Sequence, residues 1–124
     1  LSIMRKLSIF IILFFCLLTV GAQQVYLNLG KVCDLATVRV NGIDCGTIWT
    51  APYRADITAA LKKGVNELEI EVTNTWANAL KGADEGKAPF DGIWTNAKYR
   101  KAENTLLPAG LLGPLNFEVA NKNK

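Results

Sequence analysis

A chain of 124 residues fits one domain, and with half of its residues apolar it can fill a core of ordinary density. It contains no histidine, which excludes Ser-His-Asp and Cys-His nucleophile pairs and histidine-bearing zinc sites. The formal net charge of +3 falls to +3 − 2 = +1 once Arg5 and Lys6 are set aside, so the domain offers no basic field for nucleic acid.

The N-terminal stretch has a pattern of its own. Met4-Arg5-Lys6 precedes an apolar run from Leu7 to Val20, and Gly21-Ala22 follows. This is the charged, apolar and small-residue order of a secretory signal peptide. The expected leader is therefore residues 1–22, cut before Gln23, with Val20 and Ala22 at the two small-residue positions ahead of the cut. The run is shorter than the roughly 20 apolar residues of a membrane span. No stable span is expected after cleavage, and the remaining domain, residues 23–124, is expected in the periplasm or secreted. Cys16 lacks the small residues that precede a lipid-attachment cysteine.

Val25 to Leu29 alternates apolar and polar residues, as a half-buried strand does, and Gly30-Lys31 ends it. Residues 35–40 and 43–49 read as a hairpin around Asn41-Gly42, the pair that best tolerates positive φ at both centres of a type I′ turn. That register sets Val38 against Cys45 and places Cys33 near Thr50, too far for a disulfide between the two thiols. Tyr53 to Ile57 is extended after Pro52. Thr58 is placed to cap a short helical turn, Ala59 to Lys63, closed by Gly64. Asn66 to Asn74 is the clearest strand, with Leu68, Ile70 and Val72 on one face and Glu67, Glu69 and Glu71 on the other. The glutamate row is expected to be a solvated face, not an acid/base or metal site.

Residues 75–105 show no sustained period and read as a long loop. Turn-rich apolar residues follow from Leu106 to Pro114, and Leu115, Phe117 and Val119 alternate in a last strand. Short strands with Gly and Pro turns and almost no helix predict an all-β, antiparallel β-sandwich.

Aromatic residues carry the best functional signal. Trp49, Tyr53, Trp76, Trp94 and Tyr99 lie at strand ends or in the long loop. An exposed ring can stack on the apolar face of a pyranose while neighbouring amides and carboxylates bind its hydroxyls. Trp49 and Trp76, at strand ends, are expected to pack the sandwich edge. Trp94, inside the polar loop, is equally suited to ligand contact. Asp84, Glu85 and Asp91 are grouped acids, but they lack the flanking support of a glycosidase pair, and they are too few and too scattered to define a calcium site. The expected catalytic set is empty, and no metal or other cofactor is implied.

The order VYLNLGKV, VRVNG, GTIWTAPYRADIT and LKKGVNELEIEVTNTW resembles the galactose-binding-like jelly-roll domain of bacterial glycoside hydrolases. It is the type found in the family 2 β-galactosidases and β-glucuronidases. With LLPAGLLGP it is most similar to the C-terminal module of the family 106 α-L-rhamnosidases. The resemblance covers about residues 25–120. It implies a non-catalytic, carbohydrate-binding or accessory module of an exported enzyme of plant polysaccharide breakdown, whose catalytic acids sit in another domain. The alternative it leaves is a truncated structural remnant of such an enzyme. In the related modules further strands precede the equivalent of Val25–Leu29. Here the leader stands there, so the sandwich is expected without its first strands. After Trp76 the relatives read Asn-Arg-Leu-Ile-Gly-Asp, and this chain has Asn78-Ala79-Leu80-Lys81-Gly82-Ala83-Asp84, with no arginine. The resemblance adds Asn78 and Asp84 to the expected carbohydrate contacts, which are then Trp76, Asn78, Asp84, Trp94 and Tyr99. The expected partner is a plant polysaccharide or oligosaccharide.

Overall fold

The computed structural model describes residues 3–13, 23–87, 91–92 and 106–121, with residues 3–13 and Asp84 described by their backbone. In chain order the elements are β1 (Ile3–Leu13), β2 (Gln23–Asn28), β3 (Val32–Cys33), β4 (Leu35–Val40), β5 (Ile43–Ile48), β6 (Arg54–Asp56), a 3₁₀ turn (Thr58–Ala60), β7 (Gly64–Asn74), α1 (Ala77–Asp84), β8 (Gly110–Leu111) and β9 (Asn116–Asn121). One sheet has the order β1-β7-β4-β5, a second β6-β2-β9, and β3 pairs with β8. All described pairings are antiparallel. This is the all-β sandwich expected from the strand pattern.

Alternation builds the core. Val25, Leu27 and Leu29 from β2 and its end, Ala36, Val38 and Val40 of β4, and Leu68, Ile70 and Val72 of β7 are all buried and form one cluster. Each strand turns every second residue inward, so the two sheets face each other through these rows. Each fully buried aliphatic side chain contributes about 1.5–3 kcal/mol. On the outer face of β7, Glu69 and Glu71 are not simply solvated. Arg39 Nη1 donates to Glu69 at 2.7 Å and to Glu71 at 3.0 Å, tying β4 to β7. Those two hydrogen bonds raise the Arg39 pKa, with Glu71 the larger influence.

The Asn41-Gly42 turn has φ of 52° and 77°, as a type I′ turn requires. Asn41 also reaches across the fold. Its Nδ2 donates to Ala60 O and to Asn66 Oδ1, both at 2.8 Å, and its Oδ1 accepts from Glu67 N at 3.0 Å. Asn66 is 1% exposed and occupies an inward position of β7. Its Oδ1 also accepts from Lys62 N at 2.8 Å, and its Nδ2 donates to Lys62 O at 2.9 Å and Gly64 O at 3.1 Å. The turn is thereby joined to the start of β7.

Four expectations are corrected. Thr58 does not cap a turn from Ala59 to Lys63; the turn spans Thr58–Ala60, behind Ile57. The Thr58 hydroxyl accepts from Val25 N at 2.9 Å, so it joins β2 instead. Residues 75–105 are not loop throughout, because α1 occupies Ala77–Asp84. Ala, Leu and Lys favour that helix, and Ala79 is buried, but its few residues and Gly82 hide the period. Gly82 O accepts from Lys87 N at 2.7 Å, and a Cβ at Gly82 would lie 3.1 Å from Lys87 O, so the glycine lets the chain fold back on the helix. The third correction concerns the hairpin register and is described with the site it shapes. Within the stretch expected as a leader, Ile3–Leu13 forms β1, paired along β7, so an N-terminal strand is present where none was expected.

Because Asn66 satisfies four polar groups in a water-free position, Asn66→Ala should cost about 3 kcal/mol. Asn66→Asp should cost at least as much, since it loses both donated bonds and buries a charge. Urea unfolding of the three proteins measures both.

Candidate functional site

The sandwich has two unlike ends. At one lies the Asn41-Gly42 turn with the Asn66 cluster. At the other, β5 ends at Ile48, β4 begins at Leu35, and β7 ends at Asn74 and runs into α1. Two bonds fix the passage from β7 to α1: Asp34 N donates to Thr73 O at 3.1 Å, and Thr75 N donates to Asp34 Oδ2 at 2.9 Å. The same end carries Trp49, Trp76 and Asn78.

Trp49 is 69% exposed, contrary to the expectation that it packs the sandwich edge. The cause is a β-bulge. The hairpin runs in the expected register through Val40↔Ile43 and Arg39↔Asp44, then shifts, so that the next pairs are Thr37↔Thr47 and Ala36↔Ile48. Cys45 and Gly46 together oppose Val38, where Cys45 alone was expected. The extra residue is accommodated at Gly46, with φ of 106° and its N–H donated to Asp44 Oδ1 at 2.7 Å. Beyond the bulge the pleat is inverted. Ile48 enters the core, Thr47 turns outward to share a 3.0 Å hydrogen bond with Thr37, and Trp49 meets solvent.

Trp76 occupies the N-cap position of α1, is half-buried, and accepts from Leu80 N at 2.8 Å through its carbonyl. Its indole Nε1 is shielded from solvent. Asn78 binds Leu107 at two points, with Nδ2 donating to the carbonyl and Oδ1 accepting from the amide, both at 2.8 Å. Asn78 therefore fastens the 106–109 segment to α1. Asp84 is the last residue of that helix. Trp94 and Tyr99 lie outside the described residues. The structure thus brings Trp76, Asn78 and Asp84 onto one helix and adds Trp49 at the same end of the sheet. Sequence reasoning gave Trp49 less weight, and the signal that could have found it is Gly46 interrupting the strand between the turn and Trp49.

Among the described residues no group of three acidic, cysteine or histidine side chains converges as a metal site would. No described helix is long and apolar enough to cross a membrane. Cys33 and Cys45 are free thiols. Burial pushes the Cys45 thiol above its ordinary pKa, and the thiol donates to Ile43 O at 3.5 Å. A raised pKa leaves less thiolate at neutral pH, which is the opposite of an activated nucleophile. Alkylation of Cys45 by iodoacetamide at pH 7, followed by peptide mass spectrometry, should therefore be slower than that of free cysteine and should accelerate as pH rises.

Comparison with known proteins follows the same fold. The family model of the glycosyl hydrolase 2 galactose-binding domain-like group matches residues 17–106. A rhamnosidase from Novosphingobium sp. PP1Y superposes with a TM-score of 0.79 at 40% identity, over 92% of this chain and 10% of that one. An FMN-binding beta-glucuronidase from Faecalibacterium prausnitzii L2-6 shares the fold, with a TM-score of 0.58 at 24% identity, over 94% of this chain and 15% of that one. A curated protein of Formosa agariphila, assigned as a beta-glucuronidase, is 38% identical in an alignment that covers 78% of this chain and 10% of that protein. The chain thus spans only a small part of these relatives, corresponding to one domain of much longer proteins. With a match over most of its length and an antiparallel sandwich to go with it, the chain belongs to the glycosyl hydrolase 2 galactose-binding domain-like family.

Proposed function

We propose that this chain is a non-catalytic, carbohydrate-binding accessory module of α-L-rhamnosidase type, acting outside the cytoplasm in polysaccharide breakdown. The observation that carries this reading is the likeness to about a tenth of a rhamnosidase at 40% identity, over nearly the whole of this chain. A piece of that size is a domain, and the residue set supports binding over catalysis. Export rests on the leader pattern at the N-terminus.

The sugar-contacting end is the one that carries Trp49 and α1. Trp49 supplies an exposed ring for the apolar face of a pyranose, and Asp84, Trp94 and Tyr99 belong to the segment that begins at α1. Asn78 acts through Leu107, by holding the 106–109 segment in place. L-Rhamnosides are the first ligands to examine, and β-glucuronides the second.

Titrating the full chain with rhamno-oligosaccharides while following tryptophan fluorescence tests the reading. A saturable change at millimolar sugar or below is expected. Trp49→Ala should weaken binding about tenfold, the worth of one aromatic stacking contact, with unchanged far-UV circular dichroism. A flat titration with both sugar classes would refute the proposed binding.

A further inference from the structure

Strand β7 is held from two sides. β4 pairs with it from Val40↔Leu68 to Leu35↔Thr73, and β1 takes its other edge over eleven residues, from Ile3↔Asn74 to Leu13↔Gly64. β1 is the last strand of its sheet, and its connection to β2 runs through residues 14–22. The register is matched only in part, since Arg5 stands opposite Val72 in the inward row and Phe10 opposite Glu67 in the outward one. Leu7, Ile9 and Ile11 stand opposite Ile70, Leu68 and Asn66, the inward row of β7. Lys6, Ser8 and Phe10 stand opposite Glu71, Glu69 and Glu67. Residues 1–22 contain no acid.

We propose that the outer edge of β7 is a strand-acceptor site, and that Ile3–Leu13 is its separable ligand, remaining bound after the 14–22 connection is cut. An exposed edge of this length presents a row of main-chain donors and acceptors that another strand can satisfy. In such strand addition the main chain gives affinity and the alternating side chains give selectivity. The site takes an extended segment through its main chain, with apolar residues opposite Asn66, Leu68 and Ile70 and a basic residue opposite Val72. It rejects a second copy of β7. An antiparallel β7 pair that keeps its apolar rows inward sets glutamate against glutamate, which is unfavourable.

The test uses the full chain with a specific protease sequence placed within 14–22. The protein is folded first, then cut, and examined by native mass spectrometry and hydrogen exchange. The 3–13 fragment should stay with the domain, and β7 amides should exchange as slowly as before the cut. A Ser8→Pro/Ile9→Pro chain removes two adjacent main-chain donors, one of which faces β7. Its fragment should leave at least about tenfold faster. Lys6→Glu should shorten retention, and added salt should lessen that difference. Release of the unaltered fragment on cutting overturns the proposal, as does equal retention of the proline variant, which marks non-specific adhesion. If the proline variant does not fold, the unaltered and Lys6→Glu chains decide the matter on the same criteria, and retention unaffected by Lys6→Glu at low salt counts against the site.

Discussion

The contact between Asn41 and Asn66 sets the frame for the rest of the sandwich. A hairpin turn is local and by itself sets only the pairing of its own two strands. Here the turn residue also hydrogen-bonds Ala60 and Glu67, and its partner Asn66 closes the chain reversal from Lys62 to Gly64. A turn between adjacent strands is thus joined to the entry of the long central strand. β7 enters the sheet at a fixed position beside β4, and the rows Ala36–Val38–Val40 and Leu68–Ile70–Val72 fall on the same face. A buried amide can do this because all its groups are satisfied at once.

That arrangement leaves the two ends of the molecule with different characters. The hairpin end is closed by amide–backbone bonds that involve buried groups. The opposite end is where β7 passes into α1 and where Asn78 fastens Leu107. Binding surfaces in β-sandwiches are commonly built from such termini, since a rigid double sheet can position variable segments without being altered by them. The same polarity accounts for the division between residues that stabilise the fold and residues that are available to a ligand.

Much of the fold was legible in the sequence. The alternation in Val25–Leu29 and Leu68–Val72 gave both strands and their faces, and Asn-Gly gave the turn. What was not legible has identifiable physical causes. The inward row of β7 begins with Asn66, a polar residue whose burial depends on partners from two other segments. α1 is too short to show a period and contains a glycine. The glutamate row was correctly placed outside, but its pairing with Arg39 depends on β4 lying beside β7, which only the tertiary structure reveals. Of the site, the placement of the aromatics drew attention to Trp76 and the family resemblance to Asn78 and Asp84, while the holding role of Asn78 depends on Leu107, far along the chain. Trp49 was undervalued because a ring at a strand end was expected to pack the sandwich edge, and the bulge that precedes it turns it to solvent instead.

The bulge at Cys45-Gly46 has a consequence for reading relatives of this domain. In a strand, facing is a matter of parity, and a bulge resets the count by one. Whether a tryptophan after β5 belongs to the core or to the surface is therefore decided by the number of residues separating it from the Asn-Gly turn together with the presence of the bulge, and not by its identity. Two relatives with arms of equal length would face the tryptophan oppositely if one of them lacked the bulge. Arm length and bulge have to be compared together.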